Sequence, residues 1–314
     1  MNRALGTMTV VAVALTPPSD AHAQRDAGAF SEPVPAGAPS AAAASPSGAP
    51  PAGAPAVPET DGDEEHPTPP PPKEKLPPVV RQPAVLKDGM LRIPGGRFTM
   101  GSAEKNAQPN ERPPHVAVVG PFWIDRTEVT VGAYRACVER GACARPPRTS
   151  VNCTYDLGDP QLPVSCVPWT SANAYCLAVG KRLPREAEWE LTARGTTPVR
   201  YPWGTATAGC GLAATLAADN TQRSCSGKKP SRVGAHLAGA SPYGALDMSG
   251  NVEEWVADWY AESVTEASPR AGASHVLRGG GWLSPPVLAR ATARNWGSVR
   301  EAGPNVGFRC ARDD

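Results

Sequence analysis

The chain lacks the features that mark several large function classes. Neither sign of charge dominates: 31 Lys and Arg face 30 Asp and Glu, a formal net charge of +1. That balance argues against nucleic acid and against any broadly acidic surface as a partner. Histidine is scarce, with five residues scattered at His22, His66, His115, His236 and His275. There is no Cys-x-x-Cys and no His-Glu-x-x-His, so zinc-type spacing is missing. A phosphate-binding glycine loop and a Gly-x-Ser-x-Gly elbow are missing too. Residues 24–85 contain one aromatic, Phe30, and no cysteine, yet hold 16 of the 37 prolines. A segment of that kind cannot bury enough apolar surface to offset its chain entropy, which predicts an extended spacer.

The ends of that spacer define the organisation. Met1-Asn2-Arg3 is a positive start, residues 4–15 are apolar, and Ala21-His22-Ala23 fits a small-x-small cleavage site. Residues 1–23 therefore read as a signal peptide, residues 24–85 as a Pro/Ala-rich linker, and residues 86–314 as the folded domain. The apolar run is too short to span a bilayer, and no cysteine beside the cleavage site suggests a lipid anchor. The expected location is outside the cytoplasm: periplasmic, cell-surface or secreted.

Export permits disulfides, and all eight cysteines fall in the domain. Cys137 with Cys143, Cys153 with Cys166 and Cys210 with Cys225 close local loops, leaving Cys176 and Cys310. Spacing alone leaves 105 pairings open for eight cysteines. Within the domain, segments 91–101 and 115–124 read as strand regions, the first as two strands around a Pro-Gly-Gly turn. Thr130 caps a predicted helix to Arg140. A second helix, capped by Thr170 or Ser171, buries Ala172, Tyr175, Cys176 and Val179 and ends at Gly180. A third carries Pro184 in its first turn, turns Trp189 and Leu191 inward and stops at Gly195. Glycine-rich loops and short strands follow, so the class is α+β with much irregular structure. Arg182, Glu186 and Glu188 have the makings of an acid/base set, but charges near helix ends more often form ion pairs and caps.

Several segments, in order, carry a more specific signal. They are Ile93-Pro94-Gly95-Gly96, Asp125-Arg126-Thr127-Glu128-Val129-Thr130, and Gly180-Lys181-Arg182-Leu183-Pro184-Arg185-Glu186-Ala187-Glu188-Trp189. Tyr201-Pro202-Trp203-Gly204, Gly250-Asn251-Val252, Arg278-Gly279-Gly280-Gly281-Trp282 and Gly307-Phe308-Arg309-Cys310 follow. Together the domain resembles the sulfatase-modifying factor family, the formylglycine-generating-enzyme (FGE-sulfatase) domain. The resemblance implies a variant C-type-lectin-like fold with little regular secondary structure and a disulfide between Cys176 and Cys310.

It also implies an activity: oxidation of a substrate cysteine within Cys-x-Pro-x-Arg to formylglycine, by oxygen and a copper ion held by two cysteines. Thiolates suit Cu(I), yet residues 283–307 contain no cysteine. Ser284 and Pro286 stand near the family's cysteine positions, and Ala193 and Ala291 replace a second family disulfide. Copper is therefore not expected. Calcium is expected from the resemblance, through Gly250, Asn251, Val252 and Glu254, with Asn220 and Thr221 as a weaker second loop. Sulfoxide synthases of the family place their iron in an additional helical domain, which is missing here. An exported relative in pyoverdine maturation also lacks the copper pair.

These readings converge on a non-catalytic module that binds a protein, peptide or glycan, with a groove of Trp282, Ser284, Arg290, Arg294, Asn295 and Trp296. The alternative is an oxidoreductase, of the formylglycine-generating type or with another oxidative maturation role. A purely structural surface module is a third reading, supported only by the linker.

Overall fold

A computed structural model of the chain describes residues 85–218, 221, 223–265 and 272–314. The signal-peptide and linker expectations fall on residues 1–84 and lie outside the described residues, as does Asn220.

Strand β1 (Val85–Lys87) pairs antiparallel with β2 (Met90–Ile93). The chain then reverses through Pro94 into β3 (Gly96–Met100), which pairs with β4 (His115–Val119) instead of returning to β2. The expected long strand at 115–124 is two strands. Gly120 and Pro121 interrupt it, and β5 (Phe122–Asp125) crosses to lie beside β2. Proline has no N–H to donate to a ladder, so it marks the break. The first sheet is completed by the C-terminal β10 (Ala311–Asp313), which sits on the other side of β5. The second four-stranded sheet runs β8 (Arg294–Ser298), β7 (Ser274–Arg278), β6 (Glu253–Trp259), β9 (Val306–Phe308), with only β6 and β9 parallel.

Three helices pack on these sheets. Helix α1 (Val131–Glu139) is capped as expected, Thr130 Oγ1 accepting from the Ala133 amide at 3.2 Å. Helix α2 (Trp169–Ala178) begins earlier than the hydroxyl residues suggested. Pro168 is its cap, and Thr170 and Ser171 lie inside the first turn. Gly180 stops it with φ +71°. Helix α3 (Glu186–Arg194) has Pro184 just before it rather than within it. The Glu188 carboxylate accepts from the Arg185 amide at 2.8 Å, which satisfies one orphan donor of the helix start.

The core has two large parts and a small third cluster of Tyr201, Ala208 and Ala213. One gathers Ile93, Phe98, Ile124, Trp189, Leu191, Met248 and Val276 between the sheets and α3. The other surrounds Tyr134, which stacks on Tyr175 at 5.3 Å and meets Phe308 edge-on. Four disulfides brace the domain: Cys137–Cys143, Cys153–Cys166, Cys210–Cys225 and Cys176–Cys310. The last joins α2 to the turn between β9 and β10, as the resemblance implies.

Candidate functional site

The segment after β7 is shaped by its glycines. Gly279 and Gly280 have φ +88° and +60°. A Cβ on Gly279 would lie 3.0 Å from the Trp189 ring, and one on Gly280 would lie 2.8 Å from the Leu288 carbonyl oxygen. Only glycine gives both the conformation and the close approach. The chain then passes Trp282 and Ser284 and enters a short 3-10 turn at Pro286, where a fixed φ suits the first position. Opposite it, Tyr201 and Gly204 exchange backbone hydrogen bonds at 2.7 and 2.9 Å. The Tyr201 hydroxyl donates to the Pro286 carbonyl at 3.0 Å, and its ring stacks on Trp203.

Between these two turns lies a cleft of about 340 Å³, lined by Arg200, Tyr201, Leu216, Pro285, Pro286 and Arg290 among others. Its volume suits a small ligand or a few residues of peptide. Its charges are already balanced. The buried Arg290 guanidinium donates to both oxygens of Glu111, at 3.0 and 2.6 Å, and Thr292 adds a third bond at 2.7 Å. Arg200 pairs with Glu104 at 2.9 Å. Burial pushes the Tyr201 hydroxyl above its usual range, so it stays protonated. None of the lining side chains is a thiol or an imidazole, and every cysteine is disulfide-bonded. The cleft offers hydrogen bonds and an apolar proline wall. Among the described residues its lining presents neither a thiol nucleophile nor an imidazole or carboxylate base.

The sulfatase-modifying factor enzyme 1-like domain profile matches residues 76–314. The chain belongs to this family. It is 32% identical to the formylglycine-generating enzyme of Streptomyces coelicolor, over 72% of this chain and 89% of that protein. It is 30% identical to the inactive C-alpha-formylglycine-generating enzyme 2 of Bos taurus, over 71% and 87%. Identity is also 32% with serine/threonine-protein kinase pkn1 of Chlamydia caviae, but there the chain spans only 39% of the relative's length. Among solved structures it resembles PvdO from Pseudomonas aeruginosa, with a TM-score of 0.60, 28% identity, and 72% and 94% of the two chains covered. The architecture is thus the α+β, C-type-lectin-like fold of the family.

Within that fold the expected site residues separate. Pro286 lines the cleft. Ser284 is buried behind it, its Oγ accepting from the Gly281 amide at 3.0 Å and from Asn305 Nδ2 at 3.1 Å. With proline at one position and a committed hydroxyl at the other, the donor set does not fit Cu(I), which requires soft ligands. Most of the expected groove is not a surface. Trp282 is buried and donates to the Pro304 carbonyl. Arg290 belongs to Glu111, and Arg294 belongs to Glu186 at 2.7 and 3.0 Å. Only Asn295 and Trp296 are exposed. A buried guanidinium needs a counter-ion, which is why the expected recognition arginines became internal pairs.

The calcium expectation meets a similar constraint. Glu254 is fully buried and carries Arg309 on both oxygens at 2.7 Å, with Trp189 Nε1 adding a bond at 2.8 Å. Three hydrogen bonds from the protein itself thus fall on this carboxylate, two on Oε2 and one on Oε1. Asn251, held at φ +67°, donates through Nδ2 to Glu128 at 2.9 Å, and its carbonyl accepts from the Trp282 amide. Val252 is buried in the core, and Gly250 makes its close approach to the Ala214 carbonyl. Thr221 accepts from Arg223 Nε at 3.3 Å. Among the described residues no three acidic, His or Cys side chains converge as a metal site. Glu254 is thus held in an ion pair with Arg309, while Asn251 Oδ1 and Glu128 Oε2 beside it are buried without a hydrogen-bond partner.

Arg182, Glu186 and Glu188 are structural, as the commoner reading had it. Arg182 forks onto Glu188 at 2.7 and 2.8 Å and also reaches Asp313. Sequence reasoning missed Glu111 and Glu104 altogether. They lie 179 and 96 residues from their arginines, and no local pattern marks such a pairing.

Proposed function

We propose that this domain is a non-catalytic member of the sulfatase-modifying factor family, exported from the cytoplasm, which binds a protein, peptide or glycan through the cleft beside Tyr201 and Pro286. The observation that carries this reading is the state of the cysteines. All eight are engaged in disulfides, and where the resemblance calls for two thiolates the chain has a proline in the cleft wall and a committed serine buried behind it. Four disulfides fit an oxidising compartment, and among the described residues no helix is long and apolar enough to cross a membrane. The bovine relative described as inactive is compatible with loss of activity in this family.

A copper titration tests the site directly. The purified chain, without reductant, is titrated with Cu(I) against a chromogenic chelator, and its thiols are counted after denaturation. The proposal expects no free thiol and no stoichiometric Cu(I) uptake. One tight copper per chain would overturn it.

A further inference from the structure

A second concave surface shares none of its lining residues with the cleft. It is formed by Gln108, Pro109, Asn110, Tyr260, Glu262 and Trp296, and encloses about 410 Å³. Trp296 is 48% exposed. It stacks on Tyr260 with ring centres 4.4 Å apart and planes 24° apart. On Tyr260 also rests the Arg294 guanidinium, 5.3 Å from the ring centre. The half-buried phenol thus touches both a buried cation and an open indole.

The support beneath this stack is rigid. Arg294 Nη1 donates to the Asn110 carbonyl at 2.8 Å and to the Ala261 carbonyl at 3.1 Å, while its other nitrogens hold Glu186. Asn110 Nδ2 reaches both the Tyr260 hydroxyl and the Arg294 carbonyl at 3.3 Å. Glu111, next in sequence, is pinned by Arg290 and Thr292. Three separate chain segments are therefore locked around one aromatic pair, and a ligand would pay little ordering cost on arrival.

From this geometry we infer that the Tyr260–Trp296 stack is a carbohydrate-binding platform for a neutral sugar ring. The indole face matches the apolar C–H face of a pyranose. Glu262, exposed beside it, is acceptor-only when ionised and calls for hydroxyl donors. The Gln108 amide and the indole N–H supply donors for ring and hydroxyl oxygens. A nucleotide would also stack, but its phosphates would meet Glu262, and Arg294 is already neutralised by Glu186. A proline-rich peptide would stack too, yet it lacks the hydroxyl donors the carboxylate requires. The inference does not rest on the reading of the cleft, because it needs neither the loss of copper nor an empty Tyr201 site.

The test uses the full exported chain. Tryptophan emission is followed during titration with chitotetraose, cellotetraose and maltotetraose, with a proline decapeptide as the rival ligand. At least one neutral oligosaccharide is expected to saturate the signal. Trp296→Ala should weaken that binding about tenfold or more, and Trp296→Phe should restore most of it. The exposed position keeps both variants folded, which an unchanged melting temperature confirms. Saturation by none of the sugars, saturation by the peptide alone, or sugar binding indifferent to Trp296→Ala overturns the inference.

Discussion

Arg309 and Glu254 form a bidentate ion pair at 2.7 Å, wholly inside the domain, with the Trp189 indole donating a third hydrogen bond to Oε2 at 2.8 Å. The pair joins the strand-terminal Gly-Phe-Arg-Cys segment to β6 and to α3. Removing Glu254 leaves Arg309 buried without its hydrogen-bonded partner, with only the more distant Glu128 and Asp247 carboxylates acting on it, which costs up to about 3–5 kcal/mol. Glu254→Ala should therefore lose most of the domain's stability, as read from urea denaturation. Glu254→Gln keeps an acceptor for Trp189 and should be milder. Equal, small losses in both would contradict the pairing.

The same commitment of Glu254 bears on metal. With its oxygens held by Arg309 and Trp189, chelation by EDTA should leave the melting temperature unmoved. Added calcium should not raise it. A calcium-dependent rise of several degrees would restore the loop at 250–254 as a cation site.

Disulfide Cys176–Cys310 spans 134 residues, whereas Cys137–Cys143 spans six. Loop-closure entropy grows with the logarithm of the loop, so the long bridge is worth about 5 kcal/mol and the shortest clearly less. Paired Cys→Ala replacement at 176 and 310 should thus be the most damaging of the four such variants in chemical denaturation. The pair at 137 and 143 should be the mildest.

Asp258 caps α3 from the neighbouring strand, accepting from the Glu186 amide at 2.6 Å. Burial, with the nearby Glu186 carboxylate adding repulsion, raises its pKa from 3.8 to about 6. The native state therefore binds the proton more tightly than the unfolded chain does. Stability from this group is complete below pH 4 and is lost as pH rises through 6. Asp258→Asn retains an acceptor and drops the charge. It should gain up to about 3 kcal/mol over wild type at pH 8 and little at pH 4. Parallel pH profiles for the two proteins would refute the assignment.

Much of this arrangement was legible in the sequence, for local reasons. Thr130 and Gly180 mark helix ends because capping and left-handed backbone are decided by one or two residues. The glycines at 279–281 announce close approach, and the structure supplies Trp189 and Leu288 as the neighbours. The three short-range disulfides join cysteines that are neighbours in sequence, a choice that spacing alone left open among 105 pairings. What could not be read is whatever depends on distant pairing. Arg290 and Arg294 look like recognition residues until Glu111 and Glu186 arrive from elsewhere in the chain. Glu254 looks like a metal ligand until Arg309 does. The start of α2 was misplaced because Thr170 and Ser171 are good caps by type, while Pro168 takes the position by its fixed backbone. Tyr260 gave no sequence signal. Its role emerges only when Trp296 and Arg294 are brought against its ring.

The central claim is that the family's cysteine oxidation is lost from this cleft. The most direct measurement incubates the folded, copper-supplied chain with a Cys-x-Pro-x-Arg peptide under oxygen and follows the peptide mass, beside an active formylglycine-generating enzyme. The account predicts full conversion by the control and an unchanged peptide cysteine with this chain. Appearance of the peptide aldehyde would contradict it and would place a working oxidation centre among residues that here look inert.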